Sequence, residues 1–166
     1  MKQIKITASS LFLFVVATFL LFACNDKDAA PLGDPKELQL QTNAEEFARL
    51  LAAREKHEGP TFEIKNLKRE GNVLKIIVEG PGSVASYKVV WDGVLLESYP
   101  AQARIVLAYS QTGEVEHTAI LTHELTVDLK ELFGPNIDPK DVTVNVSNGS
   151  QPIDTAIDPN GSVSNK

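Results

Sequence analysis

Cysteine is nearly missing from this chain: Cys24 is the only one in 166 residues. No intramolecular disulfide is available, so the fold must rest on its packed core. Basic residues are also in deficit, 16 Lys and Arg against 22 Asp and Glu, for a formal charge of −6. Nucleic acids and anionic bilayers are recognised through basic patches, so this balance argues against both as charge-recognised partners. The three histidines are His57, His117 and His123. On one strand face, His117 and His123 would stand about 20 Å apart at roughly 3.3 Å per residue, too far to share an ion. His57 has no partner four residues on. No Gly-x-Ser-x-Gly elbow occurs, and we find neither an internal repeat nor a low-complexity tract. The reading is therefore of a non-enzymatic chain with no metal and no other cofactor.

What is present begins with an export signal. Lys2 and Lys5 precede an apolar run from Leu11 to Phe22, and Ala23 then precedes Cys24. The run is short and polar beyond its far end, which fits a cleaved signal better than a membrane span. Leu21-Phe22-Ala23-Cys24 resembles a lipobox, which implies a diacylglycerol on Cys24 and cleavage before it. A lone thiol is a liability in an oxidising compartment, and lipidation accounts for its presence. Each buried CH₂ of the acyl chains contributes about 0.8 kcal/mol, so a multiply acylated Cys24 holds firmly to a membrane. Loss of residues 1–23 takes Lys2 and Lys5 with it and leaves 14 basic against 22 acidic residues, a charge of −8. Asn25-Asp26-Lys27-Asp28 resembles the acidic surface-export signal of Bacteroidota lipoproteins. The expected address is the outer membrane, with the cell surface favoured over the periplasmic face.

Beyond the anchor the chain divides by periodicity. Residues 24–41 lack an apolar period and read as a lipidated tether. Residues 42–59 read as an amphipathic helix, with a capping box from Thr42 to Glu45 and a stripe of Phe47, Leu50, Leu51 and Arg54. From residue 60 the period becomes two. Leu74, Ile76 and Val78 share one face of a strand, and Tyr87, Val89 and Trp91 share another. Asp92-Gly93 reads as a type I′ hairpin, with Val94 to Ser98 returning. Ile105, Leu107 and Tyr109 mark a fifth strand. Ala119 to Leu129 alternates most clearly, Lys130 to Phe133 reads as one helical turn, and Val142, Val144 and Val146 form the last strand. Residues 149–166 are rich in Gly, Ser, Asn, Asp and Pro and read as a disordered tail.

About seven short strands with regular turn signals predict an all-β fold: an Ig-like antiparallel β-sandwich over residues 60–148, preceded by one short helix. A small β-barrel is the alternative. Trp91 and Tyr87 are the expected aromatic centre of the core.

The order of elements resembles the small Bacteroidota lipoproteins of unknown function that carry one Ig-like domain. The resemblance rests on the lipobox, Phe62-Glu63-Ile64, Asn72 to Ile76, Tyr87 to Trp91, Ser98-Tyr99-Pro100 and Val127-Asp128-Leu129. It covers roughly residues 60–148 besides the lipobox. It implies no reaction, and no functional residues carry over.

The candidate sites are few. Cys24 is the lipidation site. Asp154-Thr155-Ala156 resembles the Bacteroidota O-glycosylation acceptor, which makes Thr155 a candidate in an exposed tail. Asn148-Gly149-Ser150 and Asn160-Gly161-Ser162 match N-glycosylation acceptors. Asp154, Asp158 and Asn160-Gly161 resemble half a calcium loop, with a disordered acidic tail the preferred reading. The loops around Pro81-Gly82-Ser83 and from Ser110 to Glu116 are the expected contact surfaces. Exposed Tyr99 is a candidate contact for sugar or protein. The leading expectation is an envelope lipoprotein that binds an envelope protein or glycan without chemistry. The alternatives are an accessory subunit of an outer-membrane uptake or secretion complex, with a large apolar patch, and a glycan hydrolase, with two carboxylates in a cleft.

Overall fold

A computed structural model describes residues 37–110 and 119–165. The expected signal peptide, Cys24 and most of the expected tether lie outside these residues, as do His117 and the segment 111–118. The described chain is mostly β, in two facing sheets that do not close into a barrel. The larger sheet runs in the order β1 (Gln39–Thr42), β4 (Tyr87–Leu96), β5 (Ala101–Tyr109), β7 (Val142–Asn148), β8 (Asp154–Ile157), β9 (Val163–Asn165). The smaller is β2 (Glu63–Glu70), β3 (Val73–Gly80), β6 (Leu121–Asp128). Helices α1 (Ala44–Glu55) and α2 (Leu129–Phe133) complete it.

Two pairings depart from the antiparallel expectation. β1 runs parallel to β4, and β5 runs parallel to β7. Parallel neighbours need a crossover, and here each crossover passes through the other sheet. The chain leaves β1 for α1, β2 and β3 before β4, and leaves β5 for β6 before β7. These returns stitch the two sheets together.

The core lies between the sheets. Leu74, Ile76, Val78, Leu125 and Val127 of the small sheet meet Tyr87, Val89, Ile105, Leu107, Val144 and Val146 of the large one, all fully buried. Each such side chain contributes about 1.5–3 kcal/mol by leaving water. A bulge in β2 between Ile64 and Asn66 resets the alternation, so Ile64 and Leu67 both reach the core although three residues apart. Tyr87 and Trp91 are both core residues, Tyr87 at the start of β4 and Trp91 opposite Ile105, midway along β5. Tyr87 meets Phe62 and Tyr109 edge-on at centroid distances of 5.5 and 5.4 Å. Trp91 meets Phe133 at 4.9 Å.

The outer face of the large sheet is covered in part by α1. Phe47 and Leu50 bury against Val90, Val106 and Ala108, and Leu51 packs beside them. The cap is Asn43 rather than Thr42: its side chain accepts from the Glu46 backbone N–H at 3.0 Å. Thr42 cannot serve, because it is the last residue of β1, paired with Trp91.

Three further expectations are corrected. Asp92-Gly93 does not reverse the chain. The pairs Trp91↔Ile105 and Leu95↔Ala103 leave three β4 residues opposite Arg104 alone, so the dipeptide forms a bulge within one long strand. Gly93 takes φ +80 there, and the Asp92 carboxylate accepts from the Val94 N–H at 3.1 Å while also pairing with Arg104. The reversal comes instead at Ser98-Tyr99-Pro100. Residues 149–166 are not a disordered tail, since β8 and β9 extend the large sheet, with Ala156 and Ile157 buried. The end of the tether is likewise a strand, β1. The described strands therefore number nine rather than about seven, and Val142–Asn148 is not the last.

Candidate functional site: the cleft beside Tyr99

Strand directions give the sandwich two ends. Gln39, Tyr87, Tyr109, Asn148 and Gly80 lie at one, which the described chain enters through β1. Leu96, Ala101, Val142 and the turn after Ile157 lie at the other.

The entry end is consolidated by hydrogen bonding. The Phe62 carbonyl accepts from Asn148 Nδ2 and Gln151 Nε2, and the Phe62 N–H donates to Ser150 Oγ. Tyr87 OH donates to the Pro81 carbonyl at 3.0 Å, and burial pushes this phenol up to about 12. In the loop expected as a contact surface, Pro81 and Gly82 are buried in a packed corner and Ser83 is exposed. A Cβ on Gly82 would meet Ser86 Oγ at 2.6 Å. The other expected contact loop lies largely in 111–118, outside the described residues.

The far end is open. A cleft of about 490 Å³ is lined by Ser98, Tyr99, Pro100, Lys140, Asp141 and Pro159. It joins the β4–β5 turn, the 3-10 turn Pro139–Asp141 and the β8–β9 turn. Tyr99 is 103% exposed, while Phe47, Phe62, Tyr87, Trp91 and Phe133 are buried. Its turn is braced: Ser98 Oγ donates to the Pro100 carbonyl at 2.6 Å and accepts from Gln102 Nε2 at 3.2 Å. Opposite, Asp138 caps the 3-10 turn by accepting from the Lys140 N–H. Behind the cleft, buried Arg69 donates to the carbonyls of Gly71, Val142 and Pro139, which ties the β2–β3 hairpin to the start of β7. Burial lowers the Arg69 pKa.

The sequence candidates are scattered. Thr155 lies within β8, paired on both sides, and lines a lateral groove with Ile64, Leu67, Ile153 and Val163 rather than standing in a free tail. Asp154 binds Arg54 at 2.6 Å, Asp158 accepts from Thr143 Oγ1 at 2.8 Å, and Asn160 Oδ1 accepts from the Ser162 N–H. These oxygens do not converge, and no group of metal-holding side chains occurs among the described residues. Asn148, in one N-glycosylation pattern, is 2% exposed. His123 is half-buried against Tyr87, its Nε2 buried without a hydrogen-bond partner. His57 sits just past α1 with φ 56.

Comparison with family models, with curated proteins and with solved structures returns no match. The geometry must speak for itself.

One pair of acids does share a cleft. Glu63 and Glu79 are cross-strand partners, and Lys65 bridges them at 2.7 and 2.9 Å. Both carboxylates are exposed and bound to that one ammonium, whereas the acid pair of a glycosidase flanks a bound sugar. No described helix is long and apolar enough to cross a membrane. The far-end cleft differs from the Glu63–Glu79 cleft in that its ionic side chains, Lys140 and Asp141, form no ion pair with described residues. They and the Tyr99 ring are free to meet a ligand.

Proposed function

We propose that this chain is a lipid-anchored protein of the outer membrane, held by Cys24 on the cell surface, whose sandwich binds a ligand through its far end without catalysing a reaction. The anchor rests on the lipobox around the chain's one cysteine. The observation that carries the binding role is Tyr99: a braced turn holds its ring in water while the other large aromatics of the domain pack inward. Loops on a rigid scaffold are the usual carriers of recognition. An Ig-like relationship belongs to the same proposal. Two facing sheets with alternating inward residues support it, and the parallel β1–β4 and β5–β7 pairs set this chain apart from a simple antiparallel sandwich.

The test of the anchor is metabolic labelling with palmitate of cells producing the full chain or its Cys24→Ser variant. The expected result is label on the wild type alone, with the variant released from membranes. An unlabelled wild type overturns the reading.

A second reading, an accessory subunit of an envelope complex, draws on Ile120, Leu121 and Ile153, each more than half exposed at the entry end. Its test is purification from native membranes in mild detergent. A stoichiometric partner lost on Ile120→Ser with Leu121→Ser supports it, and a partner-free protein sinks it.

A further inference from the structure

We propose that the far-end cleft is a glycan site, in which a neutral pyranose polysaccharide stacks one sugar face on the Tyr99 ring. This rests on the reading of the chain as an anchored binder and names the class of its ligand.

The first argument is the ring itself. Tyrosine offers a flat apolar face with a polar tip, and a pyranose offers a C–H face rimmed by hydroxyls. Tyr99 is wholly exposed, on a turn whose hydrogen bonds hold the backbone in place. Only two side-chain torsions remain to be ordered on binding, so little entropy is lost. The second is the polar rim. Lys140 and Asp141 both line the cleft and supply an ammonium donor and a carboxylate acceptor. Opposite charges in one cleft disfavour a strongly charged ligand and suit hydroxyls, which donate and accept. The third is shape. Small molecules are held in enclosed pockets that bury most of their surface. An open cleft walled by Pro100 and Pro159 lets a polymer pass through.

The cleft lies at the end of the sandwich remote from the one the described chain enters. Gln39 pairs with Lys88, and β5 covers the distance from Ala108, opposite Lys88, to Gln102, opposite Leu96, in six steps of about 3.3 Å, roughly 20 Å.

The test is affinity electrophoresis of the full-length, palmitate-labelled protein in mild detergent, through gels holding a β-glucan, an α-glucan, a mannan or polygalacturonate. At least one neutral polymer is expected to retard the protein. Tyr99→Ala weakens that retardation at least about tenfold, and Tyr99→Trp stays within about threefold. Because residue 99 is fully exposed, its variants keep the wild-type melting temperature. No retardation by any neutral polymer, retardation by polygalacturonate alone, or retardation untouched by Tyr99→Ala overturns the inference. Palmitate label without retardation removes the glycan site and leaves the anchored protein standing. Retardation without label does the opposite.

Discussion

The Asn148 side-chain amide donates to the Phe62 carbonyl at 2.9 Å, across 86 residues of chain. The same side chain accepts from the backbone N–H of Ser150 at 2.8 Å and its hydroxyl at 2.9 Å. All these atoms are buried, so Asn148 joins the start of the small sheet to the end of β7. Asn148→Ala leaves the Ser150 N–H without its acceptor and is expected to cost about 1–3 kcal/mol. Urea denaturation of the two proteins measures this, and equal midpoints would show that the network contributes nothing.

Gly82 stands at φ +81, and a Cβ there would lie 2.8 Å from Ser86 Cβ and 2.9 Å from Tyr109 Cε2. Backbone strain and overpacking add at this position. Gly82→Ala should destabilise by about 2 kcal/mol or more. A thermal midpoint unchanged from wild type would rule out the packed corner described above.

Ile157 is fully buried near the chain's end. Ile157→Ala is expected to cost about 2–5 kcal/mol, the range for a buried isoleucine truncated to alanine. Deleting residues 152–166 should abolish cooperative unfolding, because it removes Ile157 and leaves β7 as an open edge. A truncated chain that melts like the wild type would return this segment to the status of a tail.

Glu46 lies between Arg49 and Lys88, with contacts of 2.6 Å to each. Hydrogen bonds first from Arg49 and then from Lys88 lower its pKa from 4.5 to about 2. A carboxylate depressed in the folded state stabilises above its unfolded value and loses that contribution as pH falls through its folded one. The wild type should exceed Glu46→Gln in stability above about pH 4.5, the gap should close as the pH falls toward 2, and it should vanish below that. Denaturant melts at stepped pH check this, and a gap as large at pH 2 as at about pH 6 would contradict the assignment.

Much of the fold was legible because burial imposes a period. The inward residues of β3, β4 up to Trp91, β5 and β7 could be read off alternation, since a half-buried strand must place every second side chain in the core. The α1 stripe was legible for the same reason at a period of 3.6. Asp92-Gly93 misled because its positive φ serves a bulge as well as a hairpin. In the bulge that forms, Asp92 pairs with Arg104 across the strand, a partner that the dipeptide itself does not announce. The candidate site was only half legible. Tyr99 could be named, but Lys140 and Asp141, some forty residues away, carry no local signal of facing it.

The sequence by itself determined the absence of intramolecular disulfides, the β character and most of the core, because each follows from local composition or period, and it alone carries the case for the proposed lipid anchor at Cys24. Tertiary structure alone decided the parallel β1–β4 and β5–β7 pairs and the recruitment of residues 154–165 as strands. The β8–β9 segment is too polar and short to order alone. It folds because β7 supplies its ladder and the core receives Ile157. That favourable pairing and burial come from residues remote in the chain, so no reading of the segment in isolation could weigh them against its ordering entropy.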